Sequence, residues 1–194
     1  MYVRDAKNRD EAWLLDRIES MGLDDVAFRS RDYVIAVDER TNDRAGFGRL
    51  RIHRTDEGEV CELTGIGVLE GWRDQGVGAH VVERLVEEAG DAGFETVHSL
   101  TDQPGYLSQF GFRPVETDRL PAVLRERLSE IRETGATEAV GTRLAIDRFR
   151  MPDRLREAFK TASPRETGES GGDETAEDFG IDPDEATYKY DTGR

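Results

Sequence analysis

The sequence has little cysteine and no long apolar run, and each shortage excludes a class of protein. Its one cysteine, Cys61, leaves no partner for an intrachain disulfide, which favours a reducing, cytoplasmic location. No stretch approaches the roughly 18 apolar residues of a membrane span, and residues 1–13 contain no apolar signal region. His53, His80 and His98 are scattered without metal-ligand spacing, so we expect no metal.

Lysine is also scarce, whereas carboxylates are abundant. Only three of the 27 basic residues are lysine, against 42 acidic residues and a net charge of -15. This charge excludes nucleic acid and anionic membranes as expected partners, because both bind basic surfaces. The composition predicts a halophilic protein from a salt-rich cytosol, where a Debye length of about 3 Å screens carboxylate repulsion. An ordinary acidic protein is the alternative.

Hydrophobic periodicity divides the chain into a domain over residues 1–150, a short helix over 151–160 and an acidic, polar, flexible tail over 161–194. We expect strands at 2–4, 33–37, 47–53, 60–68, 95–100, 112–115 and 140–146. We expect helices at 10–21, with Asp10 as its cap, and at 77–89, 106–110 and 121–135. This order predicts an α/β (α+β) domain whose sheet is covered by helices.

A glycine-rich turn, Arg-Asp-Gln-Gly-Val-Gly at residues 73–78, joins a strand to an amphipathic helix. Such a turn lets backbone N–H groups and the positive end of the helix dipole approach a phosphate. Arg73 can add a charge-assisted contact. A tight turn without a ligand is the alternative. The turn lacks the third glycine of a dinucleotide fingerprint and the Gly-Lys-Ser/Thr of a phosphate loop.

Two motifs in this order resemble the GNAT superfamily of N-acetyltransferases. The first is strand Ile66-Gly67-Val68 followed by Arg73-x-x-Gly76-x-Gly78 and a helix, and the second is Tyr106-Leu-Ser-Gln-Phe-Gly-Phe. The resemblance spans residues 2–148, and with the acidic composition it suggests a haloarchaeal-type member. It implies a mostly antiparallel sheet of six to seven strands flanked by helices, with one splayed strand pair.

The same resemblance implies a site for acetyl-coenzyme A. Backbone groups of Ile66, Gly67 and Val68 would hold the pantetheine arm. The pyrophosphate would be held by Arg73, Asp74, Gln75, Gly76, Val77, Gly78 and Ala79. Because the acetyl group passes directly to the acceptor in such enzymes, no acyl-enzyme cysteine is required. Cys61 lies in an apolar strand pattern and is expected to be a core thiol.

The catalytic acid and base are expected from the same likeness. Glu62 matches the general base, acting directly or through water, although a solvated carboxylate is the alternative. Tyr106 is the candidate acid for the departing thiolate, but the family's tyrosine position is Leu107 here, so a packed aromatic is equally expected. His98 is a second candidate base, with a structural histidine favoured.

The resulting expectation is an enzyme that moves an acetyl group from acetyl-coenzyme A to a primary amine of a small molecule or amino acid. Protein N-terminal or lysine acetylation is one alternative, and a non-catalytic acyl-coenzyme A-binding module is another. A partner-binding adaptor whose acidic tail carries the function is a third. The expected partners are acetyl-coenzyme A and the amine, and a homodimer is left open.

Overall fold

The computed structural model describes residues 1–165, which form a seven-stranded mixed sheet. Its strands are β1 (Tyr2–Asp5), β2 (Tyr33–Val37), β3 (Arg44–Thr55), β4 (Gly58–Val68), β5 (Thr96–Thr101), β6 (Arg113–Val115) and β7 (Val140–Ala145). They lie in the order β1-β2-β3-β4-β5-β7-β6, and all neighbours are antiparallel except the parallel pair β4 and β5. The expected mixed, mostly antiparallel sheet is confirmed.

Helices cover both faces of this sheet. They are α1 (Glu11–Ser20), α2 (Val77–Asp91), α3 (Pro104–Ser108), α4 (Ala122–Thr134) and α5 (Asp153–Lys160). Helix α2 buries its apolar stripe on one face, while α1 and α4 pack on the other. Alternate strand residues therefore belong to different cores, as the pleat requires. None of the helices in residues 1–165 is long and apolar enough to cross a membrane.

Strand β4 contains a bulge near its carboxyl end. Gly48 of β3 lies opposite both Gly65 and Ile66 of β4, so β4 has one extra residue at this point. Gly65 has φ +57°, a left-handed conformation that glycine adopts without steric cost. The bulge bends the end of β4 where the strand leads into the glycine-rich turn.

Asp10 has a different role from the expected helix cap. It occupies the cap position of α1, but its carboxylate makes no capping hydrogen bond to the helix. Instead it is fully buried and accepts hydrogen bonds from Arg4 at 2.7 Å and Arg44 at 3.0 Å. Burial opposes ionisation, but these cations hold the pKa of Asp10 well below its usual range. The carboxylate thus ties β1 and β3 to the start of α1.

Cys61 lies in the core beneath α2, as expected, and is 1% exposed. Burial raises the pKa of its thiol to about 12, so it remains protonated at neutral pH. Residues 161–165, the first part of the predicted tail, are described and continue from α5. Residues 166–194, on which the rest of that prediction falls, lie outside the described part of the chain.

Candidate active site

The glycine-rich turn leads directly into the start of α2. Gly76 caps α2 with φ +75°, and Asp74 also has a positive φ, of +59°. The first backbone hydrogen bond of the helix runs from the amide of His80 to the carbonyl of Gly76, at 3.1 Å. The amides of residues 77–79 therefore precede the helical hydrogen-bond ladder. They form, with the helix dipole, a site suited to an anion.

A groove of about 1320 Å³ runs past this helix start. One end, here called the loop end, is lined by the turn and by parts of α3 and α5. The other, here called the α4 end, is lined by the segment after α1, by α4 and by the segment after α4. Its walls therefore come from elements that are far apart in the sequence.

The two ends meet where β4 and β5 separate. Within residues 1–165 these strands share one paired position, Glu62 with His98. Beyond it, residues 64–68 of β4 and 99–101 of β5 line the groove instead of pairing with one another. This V-shaped gap leaves backbone groups of β4 free to bind an extended ligand arm.

Most of the expected coenzyme-binding residues line this groove. They are Ile66, Gly67, Val68, Arg73, Asp74, Gly76, Val77 and Gly78. The Arg73 guanidinium donates a hydrogen bond to the Val68 carbonyl at 3.3 Å, which holds it at the loop end. Gln75 and Ala79 do not line the groove. Gln75 is 7% exposed and binds the backbone of Gly71 and Ser163, while Ala79 is fully buried.

The α4 end contains a pair of opposite charges. Arg127 of α4 and Asp24, which follows α1, both line the groove and form a salt bridge. Burial opposes ionisation of Asp24, but a backbone hydrogen bond and the nearby arginines hold its pKa below the ordinary value. Buried Arg49 donates to the carbonyls of Val26 and Ala27 and so fixes the loop that carries Asp24.

Glu62 lies behind the groove wall instead of in it. It is fully buried, and both carboxylate oxygens accept hydrogen bonds from Nε of Arg127 at 2.9 Å. Nε2 of His53 donates to the same carboxylate at 2.7 Å. Burial alone would raise the pKa of Glu62, but His53 and Arg127 more than offset it and hold the pKa below its ordinary value. Glu62 is therefore an ionised carboxylate whose oxygens are already bound.

Tyr106 of α3 lines the groove at the loop end. Its hydroxyl lies over the first turn of α2, so that a Cβ added to Gly78 would meet it at 2.9 Å. Loss of hydration is the main cause that raises the pKa of Tyr106 to about 12, so the phenol is protonated at neutral pH. Leu107, at the family's tyrosine position, is 3% exposed and packs in the core under α2.

His98 does not line this groove. It lies beside Glu62 in the sheet but lines a separate groove, under the β3–β4 turn and the start of α4. Burial is the main cause that lowers its pKa, so the ring is neutral at pH 7. The structure thus gives His98 no contact with the loop end or the α4 end.

Sequence reasoning missed Asp24, Arg127 and the wall formed by α5. Arg127 gives a recognisable signal, since it interrupts the apolar stripe of Leu124, Leu128 and Ile131 on α4. A charged residue on a core-facing stripe indicates a buried partner. Asp24 gives no such signal, because its position depends on a loop held by long-range contacts.

No group of three or more His, Cys, Asp or Glu residues in the described chain is arranged to hold a metal ion. What the fold and groove define is a GNAT-like acetyltransferase architecture. The family described as "Acetyltransferase (GNAT) family" matches residues 4–112, and the chain belongs to this family. The expected enzyme class is confirmed, and the match agrees with acetyl-coenzyme A as the acetyl donor.

Several solved structures share this fold, and two of those described below are complexes with coenzyme A. N-acetylglutamate synthase from Neisseria gonorrhoeae, complexed with coenzyme A and N-acetyl-glutamate, is 17% identical with TM-score 0.59, and the match covers 74% of this chain and 34% of that one. Rv2747 from Mycobacterium tuberculosis, in complex with CoA, is 15% identical with TM-score 0.60, covering 75% and 99%. A GNAT-family acetyltransferase from Staphylococcus aureus is 11% identical with TM-score 0.54, covering 74% and 98%. These likenesses show the fold, and this chain spans about a third of the Neisseria enzyme.

Proposed function

We propose that this protein transfers the acetyl group of acetyl-coenzyme A directly to the primary amine of a small molecule, with an amino acid favoured. The observation that carries the proposal is the continuous groove. Its loop end presents helix amides and Arg73, its middle is the gap between β4 and β5, and its α4 end presents a pair of opposite charges. Coenzyme and acceptor can therefore enter from opposite ends and meet at the gap.

The coenzyme is proposed to bind along the loop end. The amides at the start of α2 and the Arg73 guanidinium would bind the pyrophosphate. Backbone groups of Ile66, Gly67 and Val68 would pair with the pantetheine arm, because β5 does not pair with β4 there. A backbone N–H of Ile66 or Val68 would then polarise the thioester carbonyl.

The reaction forms one bond and breaks one. The neutral amine nitrogen attacks the thioester carbonyl carbon, the new N–C bond forms, and the C–S bond breaks as the thiolate leaves. Tyr106, protonated and at the groove wall, is proposed to give the thiolate its proton. The proton that the amine loses is proposed to leave through water, and water is proposed to return a proton to the Tyr106 phenolate, so that no net proton is gained or lost.

Glu62 is proposed to act on that water path. Of the two routes that the sequence left open, direct proton abstraction and action through water, the geometry favours the second, because both carboxylate oxygens are already bound by Arg127 and His53. Its negative charge behind the wall also stabilises Arg127 at the α4 end. The base assignment itself stays a prediction.

An amino acid suits the α4 end because its charges match those of the site. Asp24 can attract an ammonium group and Arg127 can bind a carboxylate. The Neisseria enzyme, which was solved in complex with N-acetyl-glutamate, supports an acceptor of this size. An acceptor with both an ammonium group and a carboxylate would replace the Asp24–Arg127 salt bridge with one contact to each residue.

A turnover assay tests the proposal. Free thiol release from acetyl-coenzyme A would be measured with an α-amino acid, its methyl ester, the amine that lacks its carboxylate, and a short peptide. We expect transfer to the amino acid and a lower kcat/KM for the ester and the simple amine. Transfer to the peptide alone would replace the proposal with protein acetylation. Coenzyme binding without thiol release on the whole panel would replace it with the non-catalytic module.

The cellular location of the enzyme and its adaptation to salt are proposed from the amino-acid composition. The single, buried cysteine favours a cytoplasmic location. Scarce lysine and the net charge of -15 favour adaptation to high salt and disfavour nucleic acid as a partner. Whether the chain forms a homodimer is a separate proposal, for which the measurement is the molar mass in solution.

A further inference from the structure

The loop end of the groove has a second wall that lies outside the matched family segment. Helix α5 packs directly on the glycine-rich turn, and the carbonyl of Leu155 occupies the position that a Cβ at Gly76 would need. Phe159 of α5 stacks on His80 of α2 with ring centroids 3.8 Å apart. After α5, the amide of Arg165 donates to the Gly71 carbonyl at 2.9 Å. The C-terminal part of the described chain thus encloses the turn.

This wall places a guanidinium at the groove. Arg154, next to Leu155, lines the groove together with Arg73 and Gly78. Its guanidinium donates a hydrogen bond to the Gln109 side chain at 2.6 Å. Gln109 also lines the groove, so Arg154 is held at the wall while the rest of its guanidinium N–H groups stay available.

The partners of the groove arginines distinguish their roles. Three arginines line the groove, and of these Arg127 is bound by Glu62 and Asp24. Within residues 1–165 no salt bridge joins Arg73 or Arg154 to a carboxylate, although acidic residues outnumber basic ones in this chain. Arg73 and Arg154 therefore both supply positive charge at the loop end, where Asp74 is the nearby carboxylate of the turn.

We propose that Arg154 binds a phosphate group of coenzyme A opposite Arg73, so that the coenzyme is held between the glycine-rich turn and α5. The proposal rests on the proposed use of acetyl-coenzyme A. It assigns to a helix outside the matched residues 4–112 a direct part in binding the cosubstrate. A guanidinium can bind phosphate oxygens by two parallel hydrogen bonds, which makes arginine suited to this position.

Isothermal titration of the full-length chain tests this assignment. The variants are Arg154→Ala and the matched control Arg156→Ala, which lies on the same helix and pairs with Glu83 instead of the groove. The probes are coenzyme A, dephospho-coenzyme A and pantetheine. We expect Arg154→Ala to weaken coenzyme A binding about tenfold or more and Arg156→Ala to change it less than about twofold. Pantetheine, which has no phosphate, should bind both variants as it binds the wild type.

The titration with dephospho-coenzyme A shows which phosphate of the coenzyme Arg154 binds. A loss that persists with this probe assigns Arg154 to the pyrophosphate, and a loss that disappears assigns it to the 3′-phosphate. Equal coenzyme A affinities for Arg154→Ala and Arg156→Ala, or an equal loss of pantetheine binding, would overturn the assignment. If wild-type protein binds coenzyme A and turns over while Arg154→Ala is unaffected, this inference fails alone. If the wild type binds no coenzyme A, the proposed function fails with it. Matching melting temperatures verify that the variants fold.

Discussion

Glu62 of β4 and His98 of β5 face each other at the one paired position between these parallel strands in the described chain. The same Glu62 carries a buried ion pair with Arg127 of α4. The Glu62 carboxylate therefore lies where β4 and β5 begin to separate, and it also binds α4 to the sheet through Arg127. Glu62 thus connects the gap between the strands, where transfer is proposed, with the α4 end of the groove.

The bulge in β4 is expected to be needed for the gap. Gly65→Ala places a Cβ on a left-handed residue, which costs about 1–2 kcal/mol because the Cβ makes only ordinary contacts with Arg49 and Tyr33 and the strain is confined to the backbone. Relief of this strain would shift the bulge and lower coenzyme affinity and kcat/KM. Urea unfolding and steady-state kinetics measure both effects. Gly90→Ala, in the last turn of α2, is the control and should be neutral or stabilising, because a Cβ there makes only an ordinary contact with Ile146. Unchanged kinetics in Gly65→Ala would show that the bulge is not needed for coenzyme binding or turnover.

The Glu62 ion pair is expected to contribute stability that depends on pH. Because the folded-state pKa of Glu62 is depressed, its contribution is present above the unfolded-state pKa of about 4.3 and is lost as pH falls through the folded-state value. Glu62→Gln should reduce the free energy of unfolding at pH 7 by about 3 kcal/mol. The difference from wild type should shrink below about pH 4.

The matched control for this carboxylate is Glu59→Gln. Glu59 lies on the same strand but is exposed and pairs with exposed Arg54, so its loss should cost about 0.5 kcal/mol or less. Urea unfolding from pH 3 to pH 8 provides the comparison, in about one-unit steps. A Glu62→Gln difference that stayed constant across this range would contradict an ionised Glu62.

Tyr106 is expected to matter for chemistry more than for binding. Tyr106→Phe removes the proposed proton donor, so kcat should fall about 10–100-fold with little change in the KM for acetyl-coenzyme A. With a pKa of about 12, the wild-type phenol should produce no fall in kcat as pH rises to about 10. Tyr2→Phe, at an exposed tyrosine of β1, should leave kcat unchanged. An equal kcat for Tyr106→Phe and wild type would assign the proton to water.

High salt is expected to stabilise the protein. With a net charge of -15, carboxylate repulsion should lower the melting temperature at about 0.1 M KCl, where the Debye length is about 10 Å, relative to about 2 M KCl, where repulsion is screened. Differential scanning calorimetry at both concentrations measures the shift, with sucrose of equal osmolarity as control. A melting temperature that falls with KCl would favour the ordinary acidic protein.

The local patterns of the sequence predicted much of the fold and of the loop end. The strand–turn–helix at residues 60–91 was predictable because its apolar period and its glycines act within a few residues. Arg73, Gly76 and Gly78 accordingly lie together at one groove, and their binding of the pyrophosphate stays a prediction. Asp10 departs from its prediction because Arg4 of β1 and Arg44 of β3 bind the carboxylate that would cap the helix.

What escaped prediction depends on contacts between distant segments. Asp24 and Arg127 are brought together only when α4 packs across β4. The α5 wall requires residues beyond 150 to return to the turn at residue 76. The hydrophobic pattern of the sequence predicts neither the Asp24–Arg127 salt bridge nor the contact of α5 with the turn, because each depends on how a helix packs on the folded sheet.

The central claim is that the first-turn amides of α2 bind the diphosphate of coenzyme A. Amide NMR of ¹⁵N-labelled protein measures this directly, by titration with coenzyme A and, separately, with pantetheine. We predict that the Val77 and Gly78 amide protons shift downfield with coenzyme A and stay in place with pantetheine, because only the former brings phosphate oxygens to accept their hydrogen bonds. Saturation with coenzyme A that leaves these two amides unshifted would contradict the account.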